Sequence, residues 1–315
     1  MNMTLQARSA AMPTIAATIF VPEAGAHTNT NSAFFSSSGI KALRRFNGAL
    51  CRVAPAAAAS LARRLIATPP RHAPRAWETQ LLARADQCAL TVGAHTIPVY
   101  SWGRGRTVLL VHSWGGRAMQ MGRFVQPLIE AGFRPVAFDL PAHGLGATGE
   151  TDMVDCAAAI GAVQRGIGPV HGTVAHSFGV MATLLAAREH GLVAPNLVSI
   201  GAFEHCRWFI DAAQRHLGLS DQVAQRLRDN FEARHAHRVS FDRLSVVEML
   251  REARCNTLVV HDRHDREVPY AHSHSLRAVG RHIQAFPTVG LGHRRILADS
   301  SVIAKAISWL EARAA

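Results

Sequence analysis

From residue 77 onward, short continuous apolar runs alternate with stretches whose apolar positions recur at helical spacing. The runs are CALTV (88–92), IPVYSW (97–102), TVLLVH (107–112), RPVAFD (134–139), VHGTVAH (170–176), LVSIG (197–201), TLVVHD (257–262) and IQAFPTV (283–289). Segments long enough for helices lie between them at 117–131, 152–166, 178–190 and 203–250, and 298–313 reads as a closing helix. The first two runs are close enough to form an antiparallel hairpin. The later ones need crossovers, hence parallel pairing. Their unbroken Val, Leu and Ile content fits strands buried on both faces. The pattern predicts a doubly wound, mostly parallel eight-stranded α/β sheet, with 203–250 as a helical cap insertion.

The chain upstream has a different texture. Residues 1–38 show no sustained period and end in TNTNSAFFSSSG, which predicts a disordered segment. Residues 40–67 carry apolar positions at helical spacing broken near Pro55, predicting two basic helices, and TPPRHAP follows as a proline-rich linker. The expected divisions are therefore 1–38, a basic helical arm and linker over 39–75, and the main domain over 76–315.

Charge sharpens that division. The chain of 315 residues carries a formal charge of +12. Nine basic residues and the single acid Glu23 lie in residues 1–75, so that segment holds +8 and the other 240 residues only +4. The basicity belongs to the arm. It suggests a weak membrane-surface or acidic-partner contact through residues 40–75, set against the plainer reading of a helical prelude packed on the main domain. No nucleic-acid partner is expected, because no recognition-module pattern accompanies the charge. No run approaches eighteen apolar residues, so no membrane-spanning helix is expected. Five scattered cysteines without a CxxC pair point to reduced thiols in a cytoplasm-like compartment.

In sheets of this kind, sites form at the carboxyl ends of the strands. The chemistry-bearing residues there are His112, Asp139, Ser177, Asp262, Asp265 and His293. Two turns share the pattern His-Ser-aromatic-Gly: VHSWG at 111–115 and AHSFG at 175–179. A strand-to-helix turn that presents a serine needs small residues two positions to either side. Ala175 and Gly179 meet that need around Ser177, and a clear helical stretch follows. Around Ser113 stands Val111, and the loop-like GGR follows. Ser177 is the better nucleophile.

The ordered set VLLVHSWGG, FDLPAHGLG, AHSFG, VVHDRHDREVP and GLGHRRIL resembles the α/β-hydrolase fold superfamily over roughly residues 90–315. The likeness is to its serine esterases and lipases, in an AxSxG variant of the nucleophile turn, and the chain order Ser…Asp…His is the superfamily's. It implies Ser177 as nucleophile, His293 as base and Asp265 as the acid that orients it. Asp262 reads rather as a turn or capping residue, and Asp139 as a structural turn beside the site. The implied oxyanion donors are the backbone N–H groups of Trp114 and Phe178. His112, Ser113 and His176 are candidates to line the substrate site.

The implied activity is cleavage of a carboxylic ester or thioester through an acyl-enzyme. Alternatives are an acyltransferase or C–C bond hydrolase on the same fold, or a non-catalytic ligand- or partner-binding protein. No cofactor is expected, since no nucleotide-binding loop appears. No metal is expected either: the pairs His235/His237, His261/His264 and His272/His274 lack a metallohydrolase spacing. The arginines of 203–250 admit a lid for an anionic substrate, but interspersed acids favour a solvated helical surface.

Overall fold

The computed structural model describes residues 37–192, 195–236 and 238–314. The expectation of disorder for 1–38 falls, apart from Ser37 and Ser38, outside the described residues. The chain opens with α1 (Ser37–Val53), α2 (Pro55–Ala67) and α3 (Ala76–Leu82), then the hairpin β1 (Asp86–Val92) and β2 (His95–Ser101). The alternating part follows as β3 (Arg106–Val111), α4 (Val125–Glu130), β4 (Phe133–Phe138), α5 (Met153–Ile167), β5 (Val170–His176), α6 (Phe178–His190) and β6 (Asn196–Ile200). Three helices, α7 (Arg207–Leu217), α8 (Asp221–Arg234) and α9 (Val246–Ala253), separate β6 from β7 (Asn256–Asp262). The chain then runs through α10 (Ala271–Arg277), β8 (Ile283–Thr288), the single turn α11 (Gly292–Arg295) and α12 (Ser300–Glu311).

All eight strands join one sheet in the order β1-β2-β4-β3-β5-β6-β7-β8. The β1–β2 and β2–β4 pairs are antiparallel and the other five are parallel. Alternation along β3 shows why its sequence is apolar throughout. Leu109 and Val111 enter the core that contains α5 and α6, while Val108 and Leu110 enter the opposite core with Phe124, Leu128, Trp309 and Leu310. The parallel strands all end on one side, which gathers residues 112, 139, 177, 201 and 262 there.

Two differences from the sequence expectation matter for the site. The stretch expected as one helix over 117–131 is a 3₁₀ segment, Ala118–Phe124, followed by α4. Gly122 lies against Trp77 and Leu81 of α3, where an added Cβ would come within 3.0 Å of both side chains. Helix α3 itself has only seven residues and no helical period, so the pattern gave no sign of it.

The arm is welded to the cap insertion. Ala58, Ala59 and Ala62 of α2, with Cys51 of α1, form a separate buried cluster with Ala213, Leu217, Leu219, Val223 and Leu227 of α7 and α8. Alanine on the apolar face lets the helices approach closely. The Asn47 side-chain amide donates to the Leu217 carbonyl at 2.8 Å. The packed prelude is thus what the structure contains, and Arg44, Arg45, Arg52 and Arg64 stay exposed beside Phe46 and Val53 on its outer surface. No described helix is long and apolar enough to cross a membrane.

Candidate active site

Ser177 stands between β5 and α6 at φ 52° and ψ −116°, a left-handed conformation that costs a residue with a side chain about 1–3 kcal/mol. Two contacts hold it. Its N–H donates to the Ile200 carbonyl at 2.8 Å. Gly179, two residues on, presses against the end of β3, where an added Cβ would meet the His112 and Val111 carbonyl oxygens at 2.5 and 2.9 Å. Ala175 is fully buried within β5. Gly179 therefore has a steric cause for its lack of a side chain. Phe178 opens α6, so its N–H is among the first-turn donors that lack an intrahelical partner.

His293, in the turn α11, accepts its position from three sides. Its Nδ1 donates to Asp265 Oδ2 at 2.7 Å. Its carbonyl accepts from His176 Nε2 at 2.9 Å, and the two rings lie 4.7 Å apart. Gly201, directly after β6, lies so close that a Cβ there would come within 3.2 Å of the imidazole. His176 and Ile200, the two neighbours of Ser177 along the chain and by hydrogen bond, thus bring serine and imidazole to the same place. Among the described residues no hydrogen bond joins Ser177 Oγ to His293. Catalytic hydrogen bonds often tighten only when a substrate binds. Ser177, Asp265 and His293 are all buried, at 5%, 9% and 7% exposure.

Asp265 is loaded with donors. Its Oδ1 accepts from the Glu267 and Val268 amides at 2.8 and 2.9 Å. Its Oδ2 faces His293 and, at 3.4 Å, His261 Nε2. Burial alone would raise the carboxyl, but the hydrogen bonds from His261, His293 and Val268 outweigh it and hold Asp265 well below the usual carboxylate range. Asp262 is used differently. It accepts from Thr288 Oγ1 at 2.7 Å and from the Leu291 and His264 amides at 3.0 and 2.9 Å, tying the β7 turn to the loop that leads to His293. Asp139 likewise accepts from the Ala118 and Leu145 amides at 2.7 and 2.8 Å. Neither rival acid touches an imidazole of the site.

His112 and His176 have no exposed surface. The Leu140 amide donates to His112 Nε2 at 3.0 Å, so the ring's proton sits on Nδ1, which donates to the Ser113 carbonyl at 2.7 Å. With both nitrogens engaged, the ring props up the loop carrying Trp114. The Ser113 hydroxyl, 8% exposed as a residue, donates to Gln120 Oε1 at 3.3 Å. Burial pushes His112 and His176 down from the ordinary imidazole value, and the nearby His293 adds to this for His176. The Trp114 ring meets Phe178 at 5.0 Å, Phe209 of α7 at 5.7 Å and His143 at 4.9 Å, all edge to face. It bridges the loop after β3 to the cap.

Glu78 carries no local signal in the sequence, and His261 enters it only as half of the pair His261/His264. Pro70 falls in the proline-rich stretch TPPRHAP. No group of three or more His, Cys, Asp or Glu with metal-holding geometry occurs among the described residues.

The sheet order, the strained serine after β5, the acid after β7 and the histidine after β8 define a class: the chain has the α/β-hydrolase fold. Solved structures share it at low sequence identity. A thioesterase domain from the curacin biosynthetic pathway superposes with a TM-score of 0.53 at 18% identity, over 72% of this chain and 98% of that one. A putative lipase from Acinetobacter baumannii AYE gives 0.58 at 17% identity, over 77% and 98%. A membrane phospholipase A described as a bacterial virulence factor gives 0.58 at 17% identity, over 90% and 99%. No protein-family model matches the sequence, and no curated protein matches it either.

Proposed function

We propose that this protein is a serine hydrolase that cleaves a carboxylic ester or thioester. The observation that carries the reading is the 2.7 Å contact between His293 Nδ1 and Asp265 Oδ2 beside a serine held in a strained strand-to-helix turn. With Nδ1 donating to the carboxylate, the imidazole keeps Nε2 as its basic nitrogen. Nε2 takes the Ser177 proton as Oγ attacks the acyl carbonyl, and Asp265, ionised through its four N–H contacts, stabilises the imidazolium. The negative charge that develops on the carbonyl oxygen is received by the N–H groups of Phe178, at the positive end of α6, and of Trp114. His293 then returns the proton to the leaving oxygen or sulfur. Water, deprotonated by the same nitrogen, releases the acid from Ser177.

A fluorophosphonate probe should label the wild-type protein and leave Ser177→Ala unlabelled, and short-chain nitrophenyl esters should turn over in parallel. Labelling that persists in Ser177→Ala, or a wild type inert to both reagents, overturns the reading.

A further inference from the structure

We propose that residues 68–82, the apparent linker together with α3, form a strap belonging to the catalytic apparatus. In it, Pro70 and Glu78 are positioning residues that hold the oxyanion loop, 112–117, in its working shape. The inference rests on the hydrolase reading above.

The inner side of the loop is fixed by the core. His112 is pinned to the Leu140 amide and holds the Ser113 carbonyl, which also accepts from the Gly116 N–H at 3.0 Å. At its far end the loop is held by the Ala118 N–H on Asp139 Oδ1, and a further support reaches its outer side. That is supplied from the arm. Pro70 is buried with its ring directly on Gly115, where a Cβ would lie 2.7 Å from the proline Cγ, and Gly115 sits at φ +67°. Trp114, whose N–H is the proposed second oxyanion donor, therefore lies between a carbonyl held by His112 and a glycine capped by Pro70.

Two residues past Gly115, Arg117 closes the loop with a fork onto Glu78, Nη2 at 2.6 and 2.8 Å and Nε at 3.0 Å. Glu78 is 2% exposed and also accepts from the Arg75 N–H at 2.7 Å, so its carboxylate is fully engaged. A planar fork of this kind fixes direction as well as distance. The strap is itself tied down. Arg71 donates to the Gly144 and Gly146 carbonyls at 2.5 and 2.7 Å, and the Thr151 N–H donates to the Ala67 carbonyl at 2.8 Å. His72, lowered by burial, also feels the positive charges of Arg117 and of Arg294, the residue after the base.

Donors at an oxyanion site act only if they stand where the charge develops, and a misplacement of about 1 Å can cost on the order of a hundredfold in rate. A strap that merely added stability would leave the chemical step untouched once the protein is folded. One that sets the loop would alter kcat and the affinity for a tetrahedral mimic, and spare the binding of ground-state substrate.

The test uses the full chain with Pro70→Gly, which removes the ring over Gly115 and also frees the backbone there, and Glu78→Gln, which removes the charge and one acceptor of the fork. Both are assayed with a nitrophenyl ester and with a trifluoromethyl ketone as transition-state mimic. Expected in each is a fall in kcat of about 10- to 100-fold with KM within about twofold, and a parallel loss of ketone affinity. Arg63→Ala, which breaks only the Arg63–Glu150 pair on α2, should leave kcat unchanged. Unchanged kcat and ketone affinity in both folded variants would overturn the proposal. Hydrogen exchange over 112–117 separates this outcome from failure of the hydrolase reading. Should the wild type prove inert, faster exchange confined to that loop in Glu78→Gln supports the clamp, and unaltered exchange removes it.

Discussion

Asp265 receives four N–H contacts, two from the chain and two from imidazoles, and this loading governs the acid side of the site's behaviour. A carboxyl held below its unfolded value stabilises the folded state fully above about pH 4, and that contribution is lost only as the pH falls through the depressed value. Asp265→Asn is expected to lower kcat by about 10³- to 10⁴-fold, because the imidazole loses both its orientation and its counter-charge. Melting curves should show the variant less stable than wild type at pH 7, with the gap narrowing below pH 4. Ser177 makes a second prediction at this scale. Its positive φ is a cost that glycine would not bear, so Ser177→Gly should be inactive yet gain about 1 kcal/mol of stability, read as a higher melting temperature. The residues proposed as nucleophile, base and acid, Ser177, His293 and Asp265, could be picked out in the sequence because each follows a readable strand in order. The contacts of His176 and His261 could not, since their partners lie 117 and 4–7 residues away and only the fold brings them into hydrogen-bonding geometry.

At the scale of elements, the turn between β5 and α6 works because a backbone and not a side chain lies beneath it. Gly179→Ala would push a methyl group against two carbonyl oxygens at the end of β3, and neither can swing aside as a side chain could. The expected loss is about 1–3 kcal/mol, measured by denaturant unfolding, and a weakened grip on the adjacent loop should lower kcat beyond the stability effect. The central strands β3 to β7 were readable because burial on both faces demands continuous apolar runs, while β1 and β8 are largely exposed. The helices that escaped, α3, α10 and the single turn α11, have seven residues or fewer, too few to establish a period. The 3₁₀ segment 118–124 was misread for a related reason. Its shape answers to Trp77 and Leu81, some forty residues upstream, and not to its own pattern.

For the whole molecule, three fully buried histidines, His112, His143 and His176, are kept neutral, in each case chiefly by burial. Their values lie below that of the unfolded chain, so the unfolded state takes up protons first. Stability is complete above about pH 6.5 and declines as the pH falls from there toward the depressed folded values. Three such groups together steepen the decline by up to about 4 kcal/mol per pH unit. Denaturant midpoints compared at pH 7 and pH 5 should show a large drop, and a flat response would refute this account. The organisation of the arm was half legible. Its two helices and the break at Pro55 were plain, but its union with the cap depends on small alanine faces that carry no directional signal.

The contact between Pro70 and Gly115 also bears on how this fold could be shuffled between proteins. The change of texture near residue 76 looks like a natural seam, and a chimera cut there would inherit Ser177, Asp265 and His293 intact. It would leave behind the proline that rests on the loop, and any replacement arm would have to supply a surface of the same shape at that one glycine. The inheritable unit accordingly begins upstream of Pro70, inside what its composition marks as a spacer.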